Sequence, residues 1–355
     1  MRKAFYYSVV KMMIFMLISN DFYNFLLPSH YMNVIFSSKG KLTEENLTDI
    51  KEFILLGFSD VPNLRGLLFG IFVIIYVSIL AGNGLIIIIT KFNPALQTPM
   101  YFFLGNFSFL EICYTSVTLP RMLTDIWTQR KNISLATCAI QLGFFLILGG
   151  TECFLLAVMA YDRYVAICKP LYYPLIMNYK LCVQLVIGSW ITAIPVQAGL
   201  TYQIFSLPFC GSNKLNHVFC DAPPLVKLTC GHNAFNEFPV YANAALFGMF
   251  PFLLILVSYL KIINAILKLP SATGRSKAFS TCSSHLIVVG LFFGSAIITY
   301  LLPKSKEPAG TEKVLSLFYT TVTPLFNPLI YSLRNKDVIE AIKKLIPKWL
   351  NSLKK

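Results

Sequence analysis

MAYDRYVAIC, residues 159–168, ends a long apolar run with a compact polar triplet, Asp162, Arg163 and Tyr164. The run before it, 138–161, is long enough to cross a bilayer, which takes about 20 mostly apolar residues, and its only charged residue is Glu152. An arginine at the end of such a helix can pair with its aspartate neighbour in a semi-dry cleft. When the helices part, its planar fork is free to meet backbone carbonyls of a partner. An arginine at a helix end also snorkels to headgroups. On these three residues alone both readings stand.

Composition sets the solvent for everything else. Residues of the AVILMFWYC set make up 56% of 355 positions, charged residues 13%, and the mean hydropathy is +0.64. Soluble globular proteins carry about 25% charge, so this chain cannot cover a water-facing surface and much of it must face lipid. The formal charge of +14 then fits an anionic membrane leaflet rather than a nucleic acid.

Six further apolar stretches accompany 138–161: 67–89, 100–122, 181–204, 239–263, 279–302 and 314–333. Lipid-exposed backbone must be helical or closed into a barrel, and the alternation of a barrel strand is absent from these runs. The expected fold is therefore an all-α, seven-transmembrane helix bundle. Its domains are an atypical extension at 1–40, an extracellular tail at 41–66, the bundle at 67–333 and a cytoplasmic tail at 334–355. There is no internal repeat of the kind that builds many transporters.

Orientation follows from lysine and arginine. With the amino terminus outside, the cytoplasmic side receives fifteen, among them Lys91, Arg163, Lys169, Lys261, Arg275, Lys277 and seven from Arg334 onward. The three external connections hold eight, including Arg121, Arg130, Lys214 and Lys313. The bias favours a cytoplasmic carboxyl terminus, although the tail before the first stretch adds seven more outside. Asn46-Leu47-Thr48 is an N-glycosylation acceptor, which makes sense on a lumenal tail. In the first forty residues, the apolar run at 12–19 is too short to span and no small-residue cleavage site follows it. Residues 335–350, NKDVIEAIKKLIPKWL, space Val338, Ile339, Ile342, Leu345 and Ile346 as one apolar face. That pattern fits a short amphipathic helix on the membrane surface or a solvated tail helix.

Cys210, Cys220 and Cys230 lie in the long external connection at 205–238, and Cys138 opens the third stretch. Four cysteines on an oxidising side allow three pairings. A metal pair at His217 and Cys220 would need the thiolate that a disulfide removes. Cys113, Cys153, Cys168, Cys182 and Cys282 are most simply small apolar residues in or beside the helices. Glu111 and Glu152 are carboxylates inside apolar stretches. Such residues face the bundle interior and pair, bind an ion, or sit protonated against neighbours such as Ser108 or Asn327. Asn327-Pro328 breaks helical hydrogen bonding in the seventh stretch and implies a kink.

Five segments in order, PMYFFLGNFSFLEICYTS (99–116), MAYDRYVAICKPLYYPLIM (159–177), SY (258–259), KAFSTCSSHL (277–286) and PLFNPLIYSLRNK (324–336), resemble the signatures of the olfactory receptors. The details are similar to the tetrapod-type (class II) branch of that rhodopsin-like G-protein-coupled family, over roughly residues 52–344. The resemblance implies a plasma-membrane, multi-pass receptor, not an enzyme. It binds a small volatile odorant and activates a stimulatory olfactory-type G protein that raises cyclic AMP. It also implies disulfides Cys138–Cys220 and Cys210–Cys230. Glu111 and Glu152 would lie near a sodium pocket, with no other cofactor and no metal centre. The coupling end would be Asp162, Arg163, Tyr164, Tyr259, Lys277, Asn327, Pro328 and Tyr331.

By the same resemblance the ligand pocket lies in the outer half of the bundle. It would be lined by Phe145, Leu146, Gly149 and Gly150 on the third helix and by Val240, Asn243, Ala244 and Phe247 on the fifth. Phe293, Ala296, Ile297 and Tyr300 follow on the sixth, and Leu317, Thr320 and Thr321 on the seventh. That lining is apolar with a few polar groups, Asn243, Tyr300 and Thr320 among them, as suits a small volatile molecule. Amine receptors usually carry an aspartate where Phe145 stands, so an amine ligand is disfavoured. One departure is Phe292-Phe293-Gly294, where many relatives have Phe-Tyr-Gly; the lost hydroxyl points to a more apolar ligand. The same architecture also serves a metabolite receptor outside smell. A transporter or channel would need a polar path that two glutamates do not supply. An enzyme is disfavoured by the absence of a serine–histidine–carboxylate set, a phosphate loop or zinc spacing.

Overall fold

A computed structural model describes residues 50–58, 62–210, 212–230, 234–268, 270–301, 311–333 and 338–343. Asn46 and the extension at 1–40 lie outside the described residues. Among the described residues, seven long helices follow in chain order: α1 (Arg65–Phe92), α2 (Pro99–Thr128), α3 (Leu135–Cys168), α4 (Tyr179–Ser206), α5 (234–267), α6 (Ala272–Leu301) and α7 (311–333). Each outruns the apolar stretch that announces it at one end or both. Hydropathy registers only the lipid-facing length, whereas backbone hydrogen bonding carries a helix on into polar flanks. Only part of the amphipathic tail is described, and 338–343 is helical, with Val338 and Ala341 buried.

Five helices, α1 to α4 and the 236–267 part of α5, are long and apolar enough to cross a membrane. In α6 the apolar run is shorter, Cys282–Ile298. Two π turns interrupt the ladder, Ala245–Met249 in α5 and Phe318–Val322 in α7. Such bulges tend to mark functional stretches of a helix.

The chain divides into two compact units. The first draws on the described parts of Met1–Gly70, Ser116–Leu146 and Val196–Val240. It contains a small sheet of three strands, β1 (Glu52–Leu55), β2 (Asn132–Ser134) and β3 (Lys214–Leu215), in the order β2-β1-β3. The tail strand β1 pairs antiparallel with β2, matching Phe53 to Ile133, and parallel with β3, matching Leu55 to Leu215. Phe53 and Leu55 point to the buried face, and Phe53 meets the Phe209 ring edge-on at 5.2 Å. Gly57, at φ +49°, then turns the chain out of the strand in the left-handed region that glycine enters without cost.

Two disulfides staple this unit, Cys138–Cys220 and Cys210–Cys230, with Cα separations of 5.5 and 4.9 Å. Gln141, one turn into α3 from Cys138, donates to Val117 O at 3.0 Å and accepts from Cys220 N at 3.0 Å. One buried amide thus ties α2, α3 and the long connection beside the disulfide. The bridge closes a separation of 82 residues, worth about 4 to 5 kcal/mol on the chain-entropy account.

The second unit is Ile71–Thr115, Ile147–Pro195 and Tyr241–Lys355. Here α1 lies close against α7. A Cβ on Gly82 would come within 3.0 Å of the Pro328 ring, and Asn83 Nδ2 donates to Ile79 O at 3.1 Å and reaches Pro324 O at 3.5 Å. The Pro324 carbonyl, which loses its helical donor to Pro328, is thus met by the Asn83 amide rather than by lipid.

Phe53→Ala should remove about 3 to 5 kcal/mol from the first unit. Ile54→Ala, on the half-buried face, should cost much less. Thermal denaturation of detergent-purified receptor checks this, and equal losses for both substitutions would contradict the strand's orientation.

Candidate functional site

The polar triplet at the end of α3 is held from two sides. Arg163 Nη2 lies 3.1 Å from Asp162 Oδ2, and the Tyr173 hydroxyl donates to Asp162 Oδ1 at 2.8 Å. Tyr173 opens the one-turn helix Tyr173–Ile176, placed by the chain reversal at Lys169–Tyr172 that follows α3. Asp162 is buried, so both carboxylate oxygens are used within the protein. Burial first, and the neighbouring Asp162 charge second, push the Tyr173 hydroxyl above its ordinary value. A raised tyrosine pKa favours the protonated donor. Its contribution is complete below about pH 10 and fades only as pH rises through the folded value.

Next to this triplet, Lys261 Nζ of α5 lies 5.5 Å over the Tyr164 ring. Further along the second unit, Tyr259 and His285 share a 2.8 Å hydrogen bond and stack with ring centroids 5.7 Å apart. That contact joins α5 to α6 in a buried polar pair. Lys277 is in the helical backbone of α6, but its side chain lies outside the described residues. The Tyr331 ring sits 6.3 Å from Phe107, and its buried hydroxyl has no hydrogen-bond partner among the described residues.

A second polar cluster lies deeper. Glu111 of α2 and Glu152 of α3 are both buried. Asn327 of α7 donates its Nδ2 to Glu111 Oε1. Asn83 Oδ1, Asn327 Oδ1 and Ser108 Oγ are buried without a hydrogen-bond partner among the described residues. Ser108 therefore does not serve Glu111, and Asn327 does.

The residues expected to line a ligand pocket divide between the units. Phe145 and Leu146 belong to the first, where Phe145 packs on Phe219 at 5.0 Å. Gly149, Gly150, Asn243, Phe247, Phe293, Ala296, Ile297, Leu317 and Thr320 belong to the second. Phe247, inside the α5 π turn, meets Phe154 edge-on at 5.6 Å, and Phe293 packs on Phe252 at 5.3 Å. The side chain of Tyr300 lies outside the described residues. At Gly149 a Cβ would make ordinary contact with Tyr114, 3.7 Å away.

Comparison with known proteins settles the family. The family profile described as "Olfactory receptor" matches residues 72–348. This chain belongs to the olfactory receptor family. Human olfactory receptor 10AG1 is 62% identical over 299 residues, which span 84% of this chain and 99% of that protein. Human olfactory receptor 10A7 is 53% identical over 85% of this chain and 96% of its own length. The structure of squid rhodopsin superposes with a TM-score of 0.63 at 19% identity, covering 79% of this chain and 85% of that one, which shows a shared fold. The receptor is a multi-pass membrane protein with an odorant and a G protein as its general partners, not an enzyme.

Sequence patterning did not pick out Tyr173, His285 or Lys313. The first two carry no spacing signal, because each is defined by a partner on another element. Lys313 counted as a charge in a connection, whereas it lies in α7 and is buried.

Tyr173→Phe should raise agonist-free G-protein activation about 2- to 10-fold, since losing a hydrogen bond to a charged group releases Asp162 and, with it, Arg163. Basal nucleotide exchange normalised to surface receptor measures this. No change in the basal rate would show that Tyr173 does not restrain the triplet.

Proposed function

We propose that this receptor binds a small, mostly apolar volatile molecule and activates a stimulatory olfactory-type G protein, raising cyclic AMP. The amino terminus faces outside and the carboxyl terminus the cytoplasm, in keeping with the lysine and arginine bias. The observation that carries this reading is the Asp162-Arg163-Tyr164 triplet, restrained by Tyr173 at the end of α3, in a chain of the olfactory receptor family. A ligand that prefers the open arrangement shifts the population toward it. Arg163 then meets the G protein, with Tyr164, Tyr259, Lys277 and Tyr331 around it.

Within the second unit, the ligand-facing set is Gly149, Gly150, Asn243, Phe247, Phe293, Ala296, Ile297, Tyr300, Leu317 and Thr320. Phe145 and Leu146, which the family pattern also names on α3, belong to the first unit. The aromatic contacts at Phe247 and Phe293 support an apolar ligand. Glu111 and Glu152 form a pocket for a sodium ion. Two buried carboxyl groups, with the unpartnered oxygens of Glu111, Asn83, Ser108 and Asn327, fit a monovalent cation better than a dry core.

A cyclic-AMP reporter in cells expressing the full chain, screened against a broad odorant panel, tests the function. At least one odorant should give a saturable response that Arg163→Ala abolishes at equal surface expression. Phe293→Tyr should reorder the potencies of the active compounds, and an unchanged dose–response panel would rule out Phe293 as a ligand-facing position. Replacing external sodium by N-methylglucamine should shift agonist potency in the wild type and not in Glu111→Gln. An equal shift in both would assign the effect to another site.

A further inference from the structure

Three Asn-x-Ser/Thr triplets occur in the chain, beginning at Asn46, Asn106 and Asn132. Such a triplet accepts an asparagine-linked glycan where it reaches the lumen on an open surface. Asn46 lies outside the described residues. Asn106-Phe107-Ser108 lies inside α2, with Phe107 and Ser108 each 1% exposed and Asn106 Nδ2 donating to Phe102 O at 2.7 Å. Packed in that way, the second triplet leaves no room for a sugar.

Asn132-Ile133-Ser134 is β2 itself, and its setting is the reverse. Ile133 points to the buried face, while Asn132 and Ser134 are exposed on the other. Asn132 lies opposite Ile54, and Ile54 opposite the exposed Lys214, so the outer face of the sheet is open from strand to strand. β2 is an edge strand, with no strand on its outer side among the described residues. The apolar stretch of α2 ends at 122, yet the helix runs on to Thr128, a further rise of about 9 Å before β2 begins. Cys138, six residues after Asn132, is in a disulfide with Cys220. Disulfides form on the oxidising side of the membrane, the side on which asparagine is glycosylated.

From this setting we propose that Asn132 carries an asparagine-linked glycan on the outer face of the sheet. The assignment rests on the outward-facing amino terminus given under Proposed function. Transfer forms a bond between Asn132 Nδ2 and the anomeric carbon of the first sugar of a lipid-linked oligosaccharide. The bond from that carbon to the lipid pyrophosphate breaks, the pyrophosphate oxygen leaves with the electron pair, and one amide proton is released. The product amide keeps one N–H, enough for the single contact that Asn132 Nδ2 makes with Glu52 Oε2 at 3.1 Å. Asn132 O accepts from Arg121 Nη2 at 2.7 Å, a backbone contact that the sugar leaves in place. Ser134 has a structural role besides, because its Oγ accepts from Thr137 N at 3.2 Å and caps α3. The two roles of Ser134 separate by substitution: asparagine caps a helix about as well as serine but does not complete the triplet.

The test uses the full chain with an epitope at its amino terminus, expressed in mammalian cells, digested with peptide-N-glycosidase and read by gel mobility. Asn46→Gln should still lose one glycan step on digestion. Asn46→Gln combined with Ser134→Asn should lose none, and combined with Ser134→Thr it should lose the step again. Transfer to the growing chain precedes folding, so a variant that folds poorly still reports. Mass spectrometry after digestion in heavy-oxygen water should find Asn132 deamidated with the heavy label. An Asn46→Gln receptor whose mobility is indifferent to the enzyme, with its epitope stained on intact cells, would overturn the glycan alone. A step that persists in Asn46→Gln with Ser134→Asn would do the same. An epitope stained only after permeabilisation, with no glycan at Asn46 or Asn132, would overturn the outward-facing amino terminus and the glycan together.

Discussion

The hydrocarbon interior offers no hydrogen bonds, and almost every feature of this receptor answers that constraint. Seven helices satisfy their own backbones. Their hydroxyl side chains do the same within one turn. Thr90 donates to Ile86 O, Thr115 to Glu111 O, Ser189 to Leu185 O, Thr201 to Gln197 O and Ser295 to Leu291 O, all between 2.8 and 2.9 Å except Ser295 at 2.7 Å. Serine and threonine are therefore inexpensive to place in these helices. Carboxylates are not, because they have no proton to give a carbonyl one turn back, and an amide such as Asn83, which does donate to Ile79 O, still leaves its own oxygen unmet. Glu111, Glu152, Asn83 and Asn327 are consequently positions where the chain spends stability on something other than folding.

How legible the receptor is from sequence follows the same division. The seven stretches are plain because burial in lipid demands about 20 apolar residues in a row, and the family motifs lie on their ends. Helix ends were less legible: α2 continues to Thr128 and α3 to Cys168 because backbone hydrogen bonding persists beyond the apolar run. The strands of the first unit left no pattern. Glu52–Leu55, Asn132–Ser134 and Lys214–Leu215 are too short to show alternation, and β1 pairs with segments about 80 and about 160 residues away. Cysteine spacing leaves three pairings open; the family resemblance selects Cys138–Cys220 and Cys210–Cys230, and the structure forms both.

Single side chains defined by distant partners were the least legible. Tyr173 is one of two adjacent tyrosines in a connection, and nothing local distinguishes it from Tyr172. The structure separates them: Tyr173 donates to Asp162, while Tyr172 is exposed. Lys313 was misplaced for a similar reason. Hydropathy begins α7 at the first apolar residue, Val314, while the helix begins at Thr311. A cut three residues late turned a buried helical cation into a loop charge.

The two polar regions of the second unit differ in how far their groups are spent. At the end of α3, Asp162 is used by Arg163 and Tyr173, and Tyr259 is used by His285. Tyr173 and His285 lie on different segments from their partners, so those two bonds break when the segments part, and neither requires a ligand to be complete. Around Glu111 the accounting stays open among the described residues, with the oxygens of Asn83, Ser108 and Asn327 lacking donors. An unmet buried acceptor costs about 1 to 3 kcal/mol, a standing penalty that a sequence selected for stability alone would have removed with apolar residues. Closed pairs suit a restraint that must be released, and open acceptors suit a site that must be filled. α7 touches the second directly, through Asn327.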